Sequence, residues 1–164
     1  MIIEVSSRGW LSYGGRRIRC TLGAAGVTSD KHEGDGATPR GEFPLRRILY
    51  RKDHLPPPKV SLPIKSIAKN DGWCDDPDDS LYNQQVTLPY NASCESLWHD
   101  QGLYDLIVVL GHNDDPVVVG RGSAIFLHIA DDDFSPTKGC VAIPAKDLVL
   151  LVEAANSSTI IRII

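Results

Sequence analysis

The 164-residue chain carries 17 Lys and Arg against 21 Asp and Glu, a formal net charge of −4, and 42% of its residues are hydrophobic. That length suits one domain, residues 1–164, with a real core. The acidic balance excludes the basic face by which proteins hold nucleic acid. No apolar run approaches the roughly 20 residues of a transmembrane helix, and the opening Met1-Ile2-Ile3-Glu4-Val5 lacks the basic start of a signal peptide.

Residues 2–23 read as a β-hairpin or meander. Ile3 and Val5 alternate with polar residues, Gly14-Gly15 marks a turn, and a strand resumes over Arg16 to Leu22. Gly23 to Gly36 is rich in glycine and polar residues and reads as loop, with His32 and Glu33 solvated rather than metal-binding. Thr38-Pro39-Arg40-Gly41 then turns into a strand, Phe43 to Tyr50, because Pro39 sets φ and Gly41 permits a tight turn.

Residues 52–92 form a proline-rich insertion holding Pro56-Pro57-Pro58, Pro63, Pro77 and Pro89. The triple proline favours an extended polyproline II segment. An irregular stretch this long within a compact domain is more often functional than disordered. Its Trp73, Tyr82 and Asn83, with acidic neighbours, are suited to walling a peptide groove. The alternative is a surface loop packed on its own Trp and Tyr.

Ser93 to Asp100 reads as one or two helical turns capped by Ser93, with Leu97 and Trp98 toward the core. Tyr104 to Leu110 is a near-continuous apolar run, the pattern of a central strand buried on both faces. A polar turn follows at 111–116, then a short strand at Val117–Val119, a Gly-Arg-Gly-Ser turn, and an apolar strand bearing His128. His112 and Arg121 thus flank the His128 strand. Arg121 suits a substrate carboxylate through its planar fork or equally pairs with Asp131, Asp132 or Asp133. His112 either orients a catalytic base or bonds to its own turn.

Beyond Cys140, Pro144 suits a first helical turn, and Leu148, Leu151, Val152 and Ala155 make one apolar face, so a helix is expected over 145–155. Ser158 to Ile164 closes with a strand. Many short strands with Gly/Pro turns and one late helix define a mainly β sandwich.

The chemistry concentrates in Thr137-Lys138-Gly139-Cys140, a polar loop after the His128 strand. A thiol needs a nearby base or cation to act as a nucleophile. His128 is the candidate base, Lys138 and the positive end of the following helix add charge, and the N–H groups of Gly139 and Cys140 suit an oxyanion. A lone Cys and a lone His are otherwise ordinary core residues. Of the four cysteines, Cys74 and Cys94 share the polar middle region and are the candidate disulfide pair; no Cys-x-x-Cys spacing points to zinc.

At these residues the chain resembles the L,D-transpeptidase catalytic domain family. The family's histidine on a strand followed by Ser/Thr-x-Gly-Cys stands here as His128 and Thr137-Lys138-Gly139-Cys140, and its Thr-Pro-x-Gly-x-Phe/Tyr element as Thr38-Pro39-Arg40-Gly41-Glu42-Phe43. The resemblance spans nearly the whole chain. It implies mixed β-sheets around a helix, Cys140 as nucleophile and His128 as base, and no metal or other cofactor. It further implies peptidoglycan peptide stems as substrate, acylation by carbapenems, and a periplasmic location. Thr137 and Lys138 then join Arg121, His112, Trp73, Tyr82 and Asn83 as candidate substrate contacts. Two departures stand out: a short loop between His128 and Thr137, and Ala142 where family members commonly carry arginine. The small size, the long proline-rich insertion and the altered Cys loop are similar to a compact branch of the family that makes 1,3 cross-links. The competing readings are an L,D-carboxypeptidase or endopeptidase, a catalytically silent peptidoglycan-binding module, and a metallopeptidase using His112, His128 and Asp114.

Overall fold

The computed structural model describes residues 1–164. The alternation at the start of the chain becomes β1 (Ile2–Ser6), with Ile3 and Val5 buried, followed by β2 (Trp10–Tyr13) and β3 (Arg16–Arg19). Gly14 and Gly15 make the β2–β3 turn with φ of 51° and 78°, a region other residues rarely adopt. β3 stops at Arg19, short of the expected Leu22. There the backbone leaves β2, and Thr21 exchanges hydrogen bonds with Ala142, its N–H donating at 2.9 Å and its carbonyl accepting at 3.0 Å.

Short β4 (Val27–Thr28) and β5 (Thr38–Pro39) pair in parallel and lead into β6 (Gly41–Tyr50). The insertion contributes β7 (Ile64–Ser66), β8 (Asp71–Cys74) and β9 (Gln85–Thr87), and β10 (Cys94–Ser96) follows it. Then come β11 (Leu106–Leu110), β12 (Phe126–Ile129), β13 (Val141–Ile143), α1 (Ala145–Ala154) and β14 (Ile160–Ile163).

β6 joins two halves of one sheet. Its Gly41–Pro44 segment pairs with β14, and its Leu45–Tyr50 segment pairs with β11. The order β13-β12-β11-β6-β14-β1-β2-β3 results, with β7 also on β6. The Thr21–Ala142 bridge then joins the β3 end to the β13 edge, so the sheet wraps around its core. Ile3, Val5, Ile161 and Ile163 from one half meet Leu106, Val108, Leu127 and Val141 from the other. α1 presses Leu148, Leu151 and Val152 onto β11 and β12, as the apolar periodicity predicts.

Strands β11 and β12 are buried on both sides because the opposite face carries a second cluster. Ile107, Val109, Phe126 and Cys140 there pack under Trp73 and Tyr104, and the small sheet β10-β8-β9 lies alongside. This sheet corrects the reading of Ser93 to Asp100 as helical. Cys94–Ser96 pairs antiparallel with Gly72–Cys74, and Leu97 N–H donates to Asp71 O at 3.0 Å, so cross-strand partners outweigh the local helix signal. Leu97 is buried as expected, while Trp98 is half-buried under the Arg51 guanidinium. The expected strand at Val117–Val119 does not form. Val118 and Val119 are exposed, and Asn113 ties the loop by accepting from Val118 N–H at 2.7 Å.

Leu127 is fully buried between the halves. Leu127→Ala is expected to lower unfolding stability in urea by about 2–5 kcal/mol. Val118→Ala, on the exposed loop, should stay within about 0.5 kcal/mol.

Candidate active site

Neighbouring parallel strands align their residues, and alternate residues share a face. β12 and β13 pair in parallel with Leu127 opposite Val141 and His128 opposite Ala142. One step earlier the same register sets Cys140 beside Phe126, whose N–H points at the Cys140 Sγ from 3.4 Å. Phe126, His128 and Cys140 therefore face the same side, away from α1. The thiol donates to Ala124 O at 3.2 Å and is almost fully buried.

The loop before Cys140 is held by Thr137. Its hydroxyl donates to Cys140 O at 2.7 Å and accepts from Gly139 N–H at 3.1 Å. Gly139 has φ of 140°, and a β carbon there would lie 2.9 Å from Ala37 O, so no side chain fits. Because Thr137 takes the Gly139 N–H, the Cys140 N–H is the backbone donor of the pair left without a partner.

His128 Nδ1 lies 2.8 Å from Ile129 O. A carbonyl only accepts, so Nδ1 carries the proton and Nε2 is the basic nitrogen. Tyr104 stands edge-on to the imidazole at 5.2 Å between centroids and donates its hydroxyl to Glu95 at 2.7 Å. Burial pushes His128 down to about 4, against the Ile129 and Leu103 carbonyls that favour its cation. Burial pushes the Cys140 thiol up to about 12, and the Glu95 carboxylate adds to that rise. The Phe126 N–H and Lys31 act the other way. At neutral pH the resting pair is a thiol and a neutral imidazole.

That state corrects the expected source of activation. Three residues of β13 separate Cys140 from Pro144, which precedes α1, so the helix end does not reach the sulfur directly. The cation that favours thiolate is Lys31 rather than Lys138.

A cavity of about 840 Å3 opens onto the pair. Thr137 and Lys138 line it with His128 and Cys140, and so do Lys31 and Glu95. Arg121, His112, Trp73, Tyr82 and Asn83 do not line it. Arg121 is exposed and pairs with Asp30 at 2.7 Å, not with Asp131, Asp132 or Asp133. His112 Nε2 bonds to Arg121 O at 2.9 Å and its ring stands against Phe43, so it does not orient His128. Trp73 donates to Asn83 Oδ1, which also accepts from Ala124 N–H, both at 3.0 Å. Asn83 donates in turn to His112 O and Asn113 O, while Tyr82 donates to Glu33 and accepts from Gly122 N–H. These three side chains hold the 112–124 segment, whose Ala124 carbonyl accepts from the Cys140 thiol.

Glu33 was expected in solvent but lines the cavity, and neighbouring Lys31 is buried with Asp35 as partner. His112, His128 and Asp114 do not converge, and Asp114 is engaged by Arg46 at 2.7 Å. Cys74 and Cys94 lie directly opposite on β8 and β10, both as free thiols. No sequence signal distinguished Lys31, Glu95 or Tyr104, because each reaches the cavity only through tertiary pairing.

A β-rich sheet wrapped on one helix, with a buried thiol and imidazole on one face, defines the class. The YkuD L,D-transpeptidase catalytic domain matches residues 2–163, and the chain belongs to that family. No curated protein sequence matches it. Among solved structures it is similar to the helical cell shape determining protein Pgp2 from Campylobacter jejuni. That similarity has 14% identity and a TM-score of 0.45 over 99% of this chain and 46% of that one. A point variant of Pgp2 from the same organism gives 16% identity and a TM-score of 0.40, with the same coverage. The chain spans just under half the length of these proteins.

A neutral resting pair predicts a specific alkylation profile. Cys140 should react slowly with iodoacetamide at pH 7, and its rate should climb about tenfold per pH unit as thiolate forms. The check is mass-resolved labelling of Cys140 between pH 6 and 10; a plateau near neutrality would instead reveal a thiolate–imidazolium pair.

Proposed function

We propose that this chain is a peptidoglycan L,D-transpeptidase working through a Cys140 acyl-enzyme. The observation that carries this reading is the shared face of Cys140 and His128, opening on one cavity in a chain of this family. Cys140 Sγ attacks the amide carbonyl of a donor stem, and its proton moves to His128 Nε2 as the carbon–sulfur bond forms. Proton transfer coupled to attack suits a site that holds neither charge at rest. The Cys140 N–H is directed to the oxyanion. His128 then returns the proton to the leaving amine, and the thioester remains. An amine of a neighbouring stem displaces sulfur, forming the new amide and restoring the thiol.

Glu95 supports the second half of this cycle. Its carboxylate lines the cavity, accepts only the Tyr104 hydroxyl and pairs with no cation. It is suited to drawing in the ammonium group of an acceptor. Ala142, beside His128 across the ladder, stands where family members commonly carry arginine, and with the proline-rich insertion it supports a reading of 1,3-type cross-linking. Stem-bearing substrate places the work in the periplasm, and a carbapenem would acylate the same sulfur.

Mass spectrometry of muropeptides tests the proposal after isolated peptidoglycan is incubated with wild type and with Cys140→Ala. New cross-linked dimers are expected with wild type alone. Shortened stems without dimers would identify a hydrolase instead, and identical products from both proteins would refute cysteine catalysis. Glu95→Gln is expected to lower the ratio of dimer to hydrolysed stem about tenfold, the effect of losing roughly 1.4 kcal/mol of acceptor attraction. The same muropeptide profile reads that ratio; a ratio equal to wild type would remove Glu95 from acceptor binding.

A further inference from the structure

A second cleft, of about 720 Å3, lies between the β6–β11 region of the main sheet and the β8–β9 ribbon. Arg47 of β6 stands opposite Val109 of β11 and projects into it. Its Cζ lies 5.5 Å from the centre of the Trp73 ring, and one Nη donates to Gln85 Oε1 at 3.2 Å. Its Nε is buried and has no hydrogen-bond partner.

This guanidinium is out of balance with its surroundings. Arg46 on the same strand and Arg51 just past its end each meet a carboxylate, whereas the half-buried Arg47 between them meets none. Of the two acids lining the cleft, Asp114 is held by Arg46 and Asp71 accepts Ala68 N–H at 2.8 Å. Lys65 adds another cation at the rim. Burial alone acts on Arg47, pulling it below its usual value, with no anion to offset the cost. A half-buried guanidinium that lines a cleft and has no carboxylate partner is the arrangement a planar anion completes, since a carboxylate takes two parallel N–H bonds from one guanidinium.

We infer that the Arg47 cleft is a binding site for the terminal carboxylate of a peptide, separate from the Cys140 cavity. Arg47 receives the carboxylate, Gln85 supplies an amide beside it, and Trp73 and Val86 offer apolar surface for the attached side chain. The volume falls within the range of small-molecule sites. Ile125 lines both cavities, so the two sites stand back to back across the segment that carries Ala124 and Phe126. A polymer with many carboxylate-ended stems could be held here by one stem while another enters the catalytic cavity. The binding claim itself needs no cysteine chemistry, so it stands or falls apart from the transfer reaction.

The test is an NMR titration of Cys140→Ala protein, in which turnover is blocked, with N-acetyl-D-alanine and separately with N-acetyl-D-alaninamide. The acid should shift the Trp73 indole N–H and the Gln85 side-chain amide saturably, and the amide should bind at least tenfold more weakly. Added Arg47→Met should remove the acid response, and Arg47→Lys, which keeps the charge without the fork, should weaken it. Equal response to acid and amide would overturn the inference. So would acid shifts confined to residues around Cys140, or shifts that persist in a folded Arg47→Met variant.

Discussion

The parallel register of β12 and β13 is the constraint on which the site depends. A shift of one residue would turn Cys140 and His128 to opposite faces, since side chains alternate along a strand. The register is held on both sides. Leu127 and Val141 are buried toward α1, while Phe126 and Cys140 are buried under Trp73 and Tyr104. Thr21 completes the outer edge of β13 through its exchange with Ala142. The closing of the sheet and the placing of the Cys140 thiol are therefore one event.

Dryness governs the electrostatics of this site more than nearby charge does. The thiol and imidazole are both pushed toward their neutral forms, and Lys31 only partly counters the effect of burial on sulfur. A pair of this kind stores no ion pair at rest. In the proposed cycle, substrate would displace the thiol from Ala124 O and open the proton path to His128. Burial also guards the sulfur from indiscriminate alkylation or oxidation, because it disfavours the reactive thiolate.

Much of the fold was legible because its signals are local and redundant. The run from Leu106 to Leu110 is apolar at every position, and Leu148, Leu151 and Val152 repeat at helical spacing. The Thr-Lys-Gly-Cys segment was legible as a polar loop after the His128 strand, and the structure has it lining the same cavity as His128. The misread elements are those decided by distant partners. Cys94–Ser96 has no strong strand signal of its own and becomes a strand because Gly72–Cys74 lies beside it. Trp73, Tyr82 and Asn83 have the chemistry of a groove, yet their polar atoms are consumed in holding the 112–124 segment. Lys31 and Glu95 sit in unremarkable sequence and reach the cavity through folding alone.

Whether Cys140 carries the acyl group is read from the intact mass of the protein, acid-quenched within seconds of mixing with a tetrapeptide-stem donor. Acylation at sulfur gives a mass increase equal to the acyl part of the stem, located on the Cys140 peptide, released by hydroxylamine and absent from Cys140→Ala. Product formation without any such adduct, in wild type and Cys140→Ala alike, would contradict it.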